Sequence, residues 1–373
     1  MILGILKEPD FENRVALLPE GVAELSRLNV QSLLEQGAGQ RAYASDEEYK
    51  SAGAEVVSRS EIFERAEVVL VIHVSQPDIE KIKTQQVLIS VINPLAESTL
   101  VKQLQEERKT VFSLDIIPRT TRAQAMDILS SMATVSGYKA VLDAAMQLPH
   151  FFPMFMSAAG TIKPAKILIL GAGVAGLQAI ATSRKLGAVV EVFDVRSAVR
   201  EEVKSLGGKF IEVEGAREDA AAGGYAVEQT EEFKQKQRQL IHDHAIKSDV
   251  VICTAQIPGR KAPLLLLKDT VENMRLGSIV IDLAASTGGN CEVTKNAQTI
   301  IHHGVKVIGK SDYPSDLPSD SSKMFGKNAI NFMKLLIEKD GTLKLDFNDD
   351  IVKGTCVCHS GEIMSDRVKS IIQ

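Results

Sequence analysis

An α/β fold is predicted for this chain: two domains, each built on a parallel, doubly wound sheet, joined by long helices. Three observations lead there. Short apolar runs alternate with helical stretches from the first residue, which argues for parallel sheets. At 373 residues the chain is too long for one ordinary core. An apolar strand, Ala165-Lys-Ile-Leu-Ile-Leu, then runs straight into Gly171-x-Gly173-x-x-Gly176 and on into a helix. That is the turn of a dinucleotide-binding unit, so Rossmann-like domains are expected.

In chain order, the first domain shows strand-like runs at 1–6, 31–34, 68–74, 87–91 and 110–114, with helical stretches at 20–28 and 98–107. A long helical pattern begins near residue 121 and continues to about 147, with Met126, Leu129, Met132 and Val135 at three-residue steps. It is expected to bridge the domains. A second series follows at 166–170, 189–193, 209–213, 250–254, 278–283 and 305–308. Six strands complete a doubly wound sheet. The next helix, 322–337, should therefore return the chain to the first domain, with strand character again at 343–347. The expected domains are 1–132 with 325–373, and 133–324.

Composition excludes several classes. A net charge of -5, a pI near 5.9 and no basic run interleaved with aromatics leave no footprint for nucleic acid. The first residues lack the charged start and long apolar run of a signal peptide, so a cytoplasmic protein is expected. The uncharged stretch 167–183 is short of a membrane span and is broken by three glycines. Cys253, Cys291, Cys356 and Cys358 have neither metal-ligand spacing nor a secreted framework. Cys356-Val-Cys358-His359 offers three ligands where zinc needs four, so reduced thiols and no metal are expected.

In the glycine turn, Gly171 permits the bend, Gly173 lets the backbone approach a pyrophosphate and Gly176 allows close helix–strand packing. The backbone of Val174 and Ala175 would then face the anion from the helix N-terminus. The second strand ends in Asp194, about 20 residues on, where a carboxylate can bond both ribose hydroxyls. Asp194 would repel a 2′-phosphate and so favours NAD over NADP, although Arg196, beyond Val195, tempers that preference. Residues 214–230 form a loop without apolar period, with Tyr225 just after Gly223-Gly224. A functional lid and solvated chain are both open readings.

A family resemblance becomes specific at this point. Lys7-Glu8-Pro9, then Asn13-Arg14-Val15-Ala16-Leu17-Leu18-Pro19-Glu20, with the GAGVAG turn, resembles the superfamily of alanine dehydrogenases and the NAD(H)-binding component of proton-translocating transhydrogenase. The segments from Pro118 to Ala133, Gly223-Gly224-Tyr225-Ala226, Thr254-Ala-Gln-Ile-Pro258-Gly259 and Asp282 to Cys291 resemble the transhydrogenase. The resemblance implies that Arg119, Gln124 and Asp127 contact the nicotinamide end of NAD(H), with Ser130 and Tyr138 nearby and Tyr225 on a mobile loop. It assigns Thr254, Ala255, Gln256 and Pro258 to the cofactor-binding loop, where the family commonly has leucine instead of Gln256. From spacing alone, Thr121-x-x-Gln124 also reads as a capping box and Asp127 as a complement to a helix N-terminus.

An amino-acid dehydrogenase needs an acid/base group and a cation for the substrate carboxylate. This chain has His73, Asn93 and Ser286 where the resemblance places the lysines, histidine and aspartate of alanine dehydrogenases. Hydride transfer between two nicotinamide rings needs only orientation and exclusion of water. The resemblance therefore implies a transhydrogenase subunit, active only with partner subunits. It would bind NAD(H) and face NADP(H) on a partner component, with proton translocation in membrane-spanning subunits that hold it at the inner face of the cytoplasmic membrane. A homodimer is expected from the family. An amino-acid or opine-type dehydrogenase and an NAD(H)-sensing module are the alternatives.

Overall fold

The computed structural model describes residues 1–213, 230–257 and 259–372. Tyr225, most of the loop that contains it, and Pro258 lie outside the described residues. The chain divides into two compact units, Met1–Met132 with Pro314–Gln373, and Ala133–Tyr313.

The first unit opens with β1 (Ile2–Ile5), β2 (Gln31–Glu35), β3 (Ala54–Val57), β4 (Val68–Leu70), β5 (Val87–Ser90) and β6 (Thr110–Ser113), paired in parallel in the order β3-β2-β1-β4-β5-β6. Successive strand residues face opposite sides of a sheet. Here both sides are covered: Leu3, Ile5, Leu34, Leu70 and Ile89 join one buried cluster, while Leu33, Val69, Leu88 and Val111 join the other. Two-sided burial is why these strands read as continuous apolar runs. Each such side chain withdrawn from water contributes about 1.5–3 kcal/mol.

The second unit begins with a small hairpin, β7 (Phe155–Ser157) and β8 (Gly160–Ile162). Its main sheet contains β9 (Lys166–Leu170), β10 (Val189–Phe193), β11 (Lys209–Ile211), β12 (Val250–Cys253), β13 (Ile279–Asp282), β14 (Thr299–His302) and β15 (Val305–Ile308). The order is β11-β10-β9-β12-β13-β15-β14, parallel except for β14. The sheet thus has one strand more than the six expected, an antiparallel edge whose alternating exposure gives no continuous apolar run. Ile167, Ile169, Val250 and Ile252 pack on one face, and Leu168, Leu170, Val251 and Cys253 on the other.

The chain re-enters the first unit at Pro314, ahead of the helix Pro318–Met333, whose Phe325, Ala329, Phe332 and Met333 belong to that unit's core. It adds β16 (Cys356–His359) and β17 (Glu362–Ile363), the former antiparallel to β6, before a last helix, Asp366–Ile372. The strand expected at 343–347 is absent there. Only Leu343 forms a bridge, to Ile337, while Leu345 and Phe347 rest half-buried against the core. The long helix is also interrupted, with a 3-10 segment Thr121–Met126 followed by the helix Ile128–Gln147 and extended backbone at Asp127 between them. All four cysteines are buried and unpaired.

Candidate functional site

In the second unit β9 lies between β10 and β12, so the chain order reverses at its carboxyl end, where open α/β sheets bind ligands. Gly171 follows at φ 107°, a left-handed conformation that favours glycine, and a Cβ there would lie 2.6 Å from Thr254 Oγ1. The Thr254 hydroxyl donates to the Gly171 carbonyl at 2.9 Å, tying the turn to the end of β12. A Cβ on Gly176 would lie 2.0 Å from the Gly171 oxygen, so the helix Val174–Lys185 can start this close only with glycine there.

Gly173 behaves differently. A Cβ on it would meet nothing within 4 Å, and no side chain caps the helix that begins behind it. The glycine therefore borders open space in front of the uncapped amides of Val174 and Ala175, a cradle suited to an anion. Sequence reasoning missed Gly137, on the helix Ile128–Gln147. A Cβ there would lie 2.1 Å from the Ala175 carbonyl oxygen, so this glycine lets the helix back onto the turn.

Asp194, only 8% exposed, ends β10 beside the turn. Its Oδ2 accepts from the Ala172 N–H at 2.7 Å and its Oδ1 from the Arg196 N–H at 2.9 Å. The Arg196 guanidinium closes on both oxygens, Nε to Oδ1 at 2.9 Å and Nη2 to Oδ2 at 2.7 Å. Four donors fill a carboxylate with about four acceptor positions. A ribose diol thus reaches Asp194 only by displacing the Arg196 side chain. Val195 packs half-buried beneath.

The loop after β12 depends on two residues of the segment 282–291 to which no role was assigned from the sequence. Asn290 accepts from the Ala255 N–H at 3.0 Å and donates to the carbonyls of Ala255 and Pro263 at 2.9 and 2.8 Å. Asp282, fully buried, accepts from the amides of Ala284, Asn290 and Cys291 and from the Thr294 hydroxyl. Burial pushes its carboxyl above the usual range against these bonds. Gln256 donates to the Leu283 carbonyl at 2.9 Å, so the departure from leucine adds an anchor to this loop.

Arg119, Gln124, Asp127 and Ser130 lie together on one segment of the first unit, whereas the glycine turn and Tyr138, 38% exposed, belong to the second. Asn328 and Asn331 donate to the Ala125 carbonyl at 2.8 and 3.0 Å, and Arg122 pairs with Asp349 and Asp350. Arg119 and Gln124 are exposed on this fastened segment. Thr121 and Gln124 form no capping box. Asp127 is a helix cap, its carboxylate accepting from the Ser130 N–H at 2.9 Å and the Ser130 hydroxyl at 2.6 Å.

A buried acidic group completes the first unit. Glu12 takes the Arg14 guanidinium in two bonds, at 2.9 and 2.6 Å, and lies 3.1 Å from His73 Nε2. Burial opposes its charge, but Arg14 and His73 hold its carboxyl well below the usual range. Glu8 accepts from the amides of Ile72 and His73 at 2.6 and 2.9 Å, yet burial pushes its carboxyl up to about 7. Arg14 and His73 thus both pair with the buried carboxylate of Glu12. Asn93, at φ 50°, is exposed, and Ser286 donates its backbone N–H to the Ser311 hydroxyl.

Comparison with known proteins agrees along the whole chain. The models for alanine dehydrogenase/PNT, N-terminal domain, and alanine dehydrogenase/PNT, C-terminal domain, match residues 4–136 and 140–366. The chain is 41% identical over 363 residues to an NAD(P) transhydrogenase subunit alpha polypeptide of Rhodospirillum rubrum, covering 95% of this chain and 94% of that one. It is 26% identical to the alanine dehydrogenase of Mycolicibacterium smegmatis, covering 99% and 96%. A crystal structure of transhydrogenase from Sinorhizobium meliloti matches with a TM-score of 0.89 at 38% identity, covering 97% of this chain and 100% of that one. Fold and turn define a Rossmann-type protein of the NAD-binding oxidoreductase class. The chain belongs to the alanine dehydrogenase/PNT family, on its NAD(P) transhydrogenase alpha-subunit branch.

Proposed function

We propose that this chain is the NAD(H)-binding subunit of a proton-translocating transhydrogenase, exchanging hydride with NADP(H) held by a partner component. The observation that carries this reading is the open anion cradle at Gly173, in a chain whose Arg14 guanidinium and His73 imidazole are both paired to the carboxylate of Glu12. Bound NAD(H) would supply the hydride at its nicotinamide ring. The residues of the chain hold and orient. Val174 and Ala175 offer backbone amides to the pyrophosphate, Asp194 takes the adenosine ribose as Arg196 swings aside, and Thr254, Ala255, Gln256 and Pro258 border the loop beyond. Arg119, Gln124, Asp127 and Ser130, with Tyr138 and Tyr225, fix the nicotinamide end and keep water out. No proton is gained or lost at the reacting carbon, so none of these residues needs to act as a base.

Proton coupling falls to the membrane-spanning subunits, through which this chain is held at the membrane. Among the described residues no helix is long and apolar enough to cross one. A homodimer is supported by the β7–β8 hairpin, where Phe155, Met156 and Ile162 are 46, 74 and 48% exposed. The test is to mix the pure protein with an NADP(H)-binding component and follow reduction of an NAD analogue by NADPH. Exchange only in the mixture, with no NADH oxidation by pyruvate and ammonia, is expected. Turnover of pyruvate and ammonia by the chain alone would overturn the reading in favour of an amino-acid dehydrogenase.

A further inference from the structure

Among the described residues, Glu272, His302 and His303 converge at the far end of the second unit's sheet. β14 and β15 pair antiparallel with His302 opposite Val305, so the turn between them holds only His303 and Gly304, at φ 48° and 78°. Both central residues are left-handed, as a two-residue hairpin of this kind requires. The turn precedes β15, which is parallel to β13 and hence to β9, and so lies at the amino end of the parallel strands. The nucleotide cradle is at their carboxyl end.

Neighbouring residues of a strand point to opposite faces. The left-handed backbone at His303 breaks that alternation and brings both imidazoles to one side, ring centroids 4.8 Å apart. Glu272, the last residue of the helix Lys268–Glu272, meets them there. His302 Nε2 and His303 Nε2 lie 3.1 and 3.5 Å from the same oxygen, Glu272 Oε1. Metal–ligand bonds of about 2.0–2.2 Å in a tetrahedron place neighbouring donor atoms roughly 3.3 Å apart. The two histidine–carboxylate separations bracket that value, the shorter being a hydrogen bond, and all three donor atoms lie within 4.8 Å of one another.

We propose that Glu272, His302 and His303 bind a divalent transition-metal ion of the zinc type, with water in the fourth position. Two imidazoles and one carboxylate suit such an ion over Mg²⁺ or Ca²⁺, which take all-oxygen sites. The His303 side chain is 60% exposed, which leaves the entry path open and allows its ring to close the remaining gap. Lys268, 3.8 Å from the same oxygen and 56% exposed, can withdraw into solvent as the ion enters. The bound ion would clip the helix to the hairpin at the edge of the sheet. The ligands stand 30 residues apart in sequence, with none of the short spacings that mark a metal motif, so the sequence alone does not show them.

The test uses the whole chain and Co²⁺ as probe. One equivalent should bind, give the strong visible absorption of four-coordinate Co²⁺, be displaced by Zn²⁺ and be unaffected by millimolar Mg²⁺. Glu272→Gln and His303→Asn, the latter chosen because asparagine tolerates the left-handed backbone, should each weaken binding by about tenfold or more, since even second-shell losses cost 10–100-fold. Zn²⁺ should raise the melting temperature of the parent and not of these variants. Matching melting temperatures without metal would show that both variants are folded. Absence of saturable Co²⁺ uptake, or uptake unchanged in both folded variants, would overturn the proposal.

Discussion

In the proposed nucleotide site, Arg196 is a built-in competitor. Its guanidinium fills the acceptor positions of Asp194 that a ribose diol would use. Removing it with Arg196→Ala should leave NADH binding at least as tight, while NADPH, losing a cation near its 2′-phosphate, binds more weakly. A fluorescence titration with both nucleotides checks this, and a fall in NADH affinity would place the guanidinium on the nucleotide instead. Asp194→Ala should narrow the preference for NADH and cost about 1–3 kcal/mol of stability, because the Ala172 amide loses its partner. The placement of Asp194 beside the glycine turn was legible in the sequence because it follows from a fixed spacing after the glycines. The group of Glu8, Glu12, Arg14 and His73 was not, since nothing local to residues 8–14 reveals what 72–73 bring to them. Glu8 has its own pH signature. Its folded pKa, about 7, lies above the unfolded value of 4.5, so the folded state binds more protons between them and stability falls as pH rises through that window. Relative to Glu8→Gln, the parent should lose up to about 3 kcal/mol between pH 4.5 and 8 in denaturant titrations. Equal pH slopes for the two proteins would contradict the burial assigned to Glu8.

At the level of elements, the parallel strands were readable because burial on both faces writes continuous apolar runs, as in Val250–Cys253 and Ile279–Asp282. Two edge strands, β3 and β14, escaped for the opposite reason. β14 alternates in exposure and β3 is interrupted by the exposed Glu55. The break at Asp127 was hidden because the apolar steps of Met126, Leu129 and Met132 continue across it, and only the Asp127–Ser130 cap shows where the helix restarts. The glycines of the nucleotide unit should separate by substitution. Gly173→Ala adds a methyl group to open space. It should change stability by no more than about 1 kcal/mol, the scale of an N-cap exchange, while weakening NADH binding. Gly137→Ala pushes a methyl group against the Ala175 carbonyl and should cost about 1–3 kcal/mol. Comparable losses of stability in both variants, read from thermal unfolding, would mean that Gly173 is structural and not a cradle.

For the whole molecule, the apolar β7–β8 hairpin bears on self-association. Met156→Asp should shift the protein from twice the 40.5 kDa chain mass toward that mass in light scattering, and a parent already at one chain mass would remove the homodimer from the proposal. The central claim is that hydride passes directly between two nicotinamides without a base. It is tested most directly by supplying NADH deuterated at the transferred C4 position together with NADP⁺ and the partner component in ordinary water. The deuterium should be recovered at C4 of the NADPH formed, with no exchange into solvent. Its loss to water, or its appearance in alanine when pyruvate and ammonia are present, would contradict the claim.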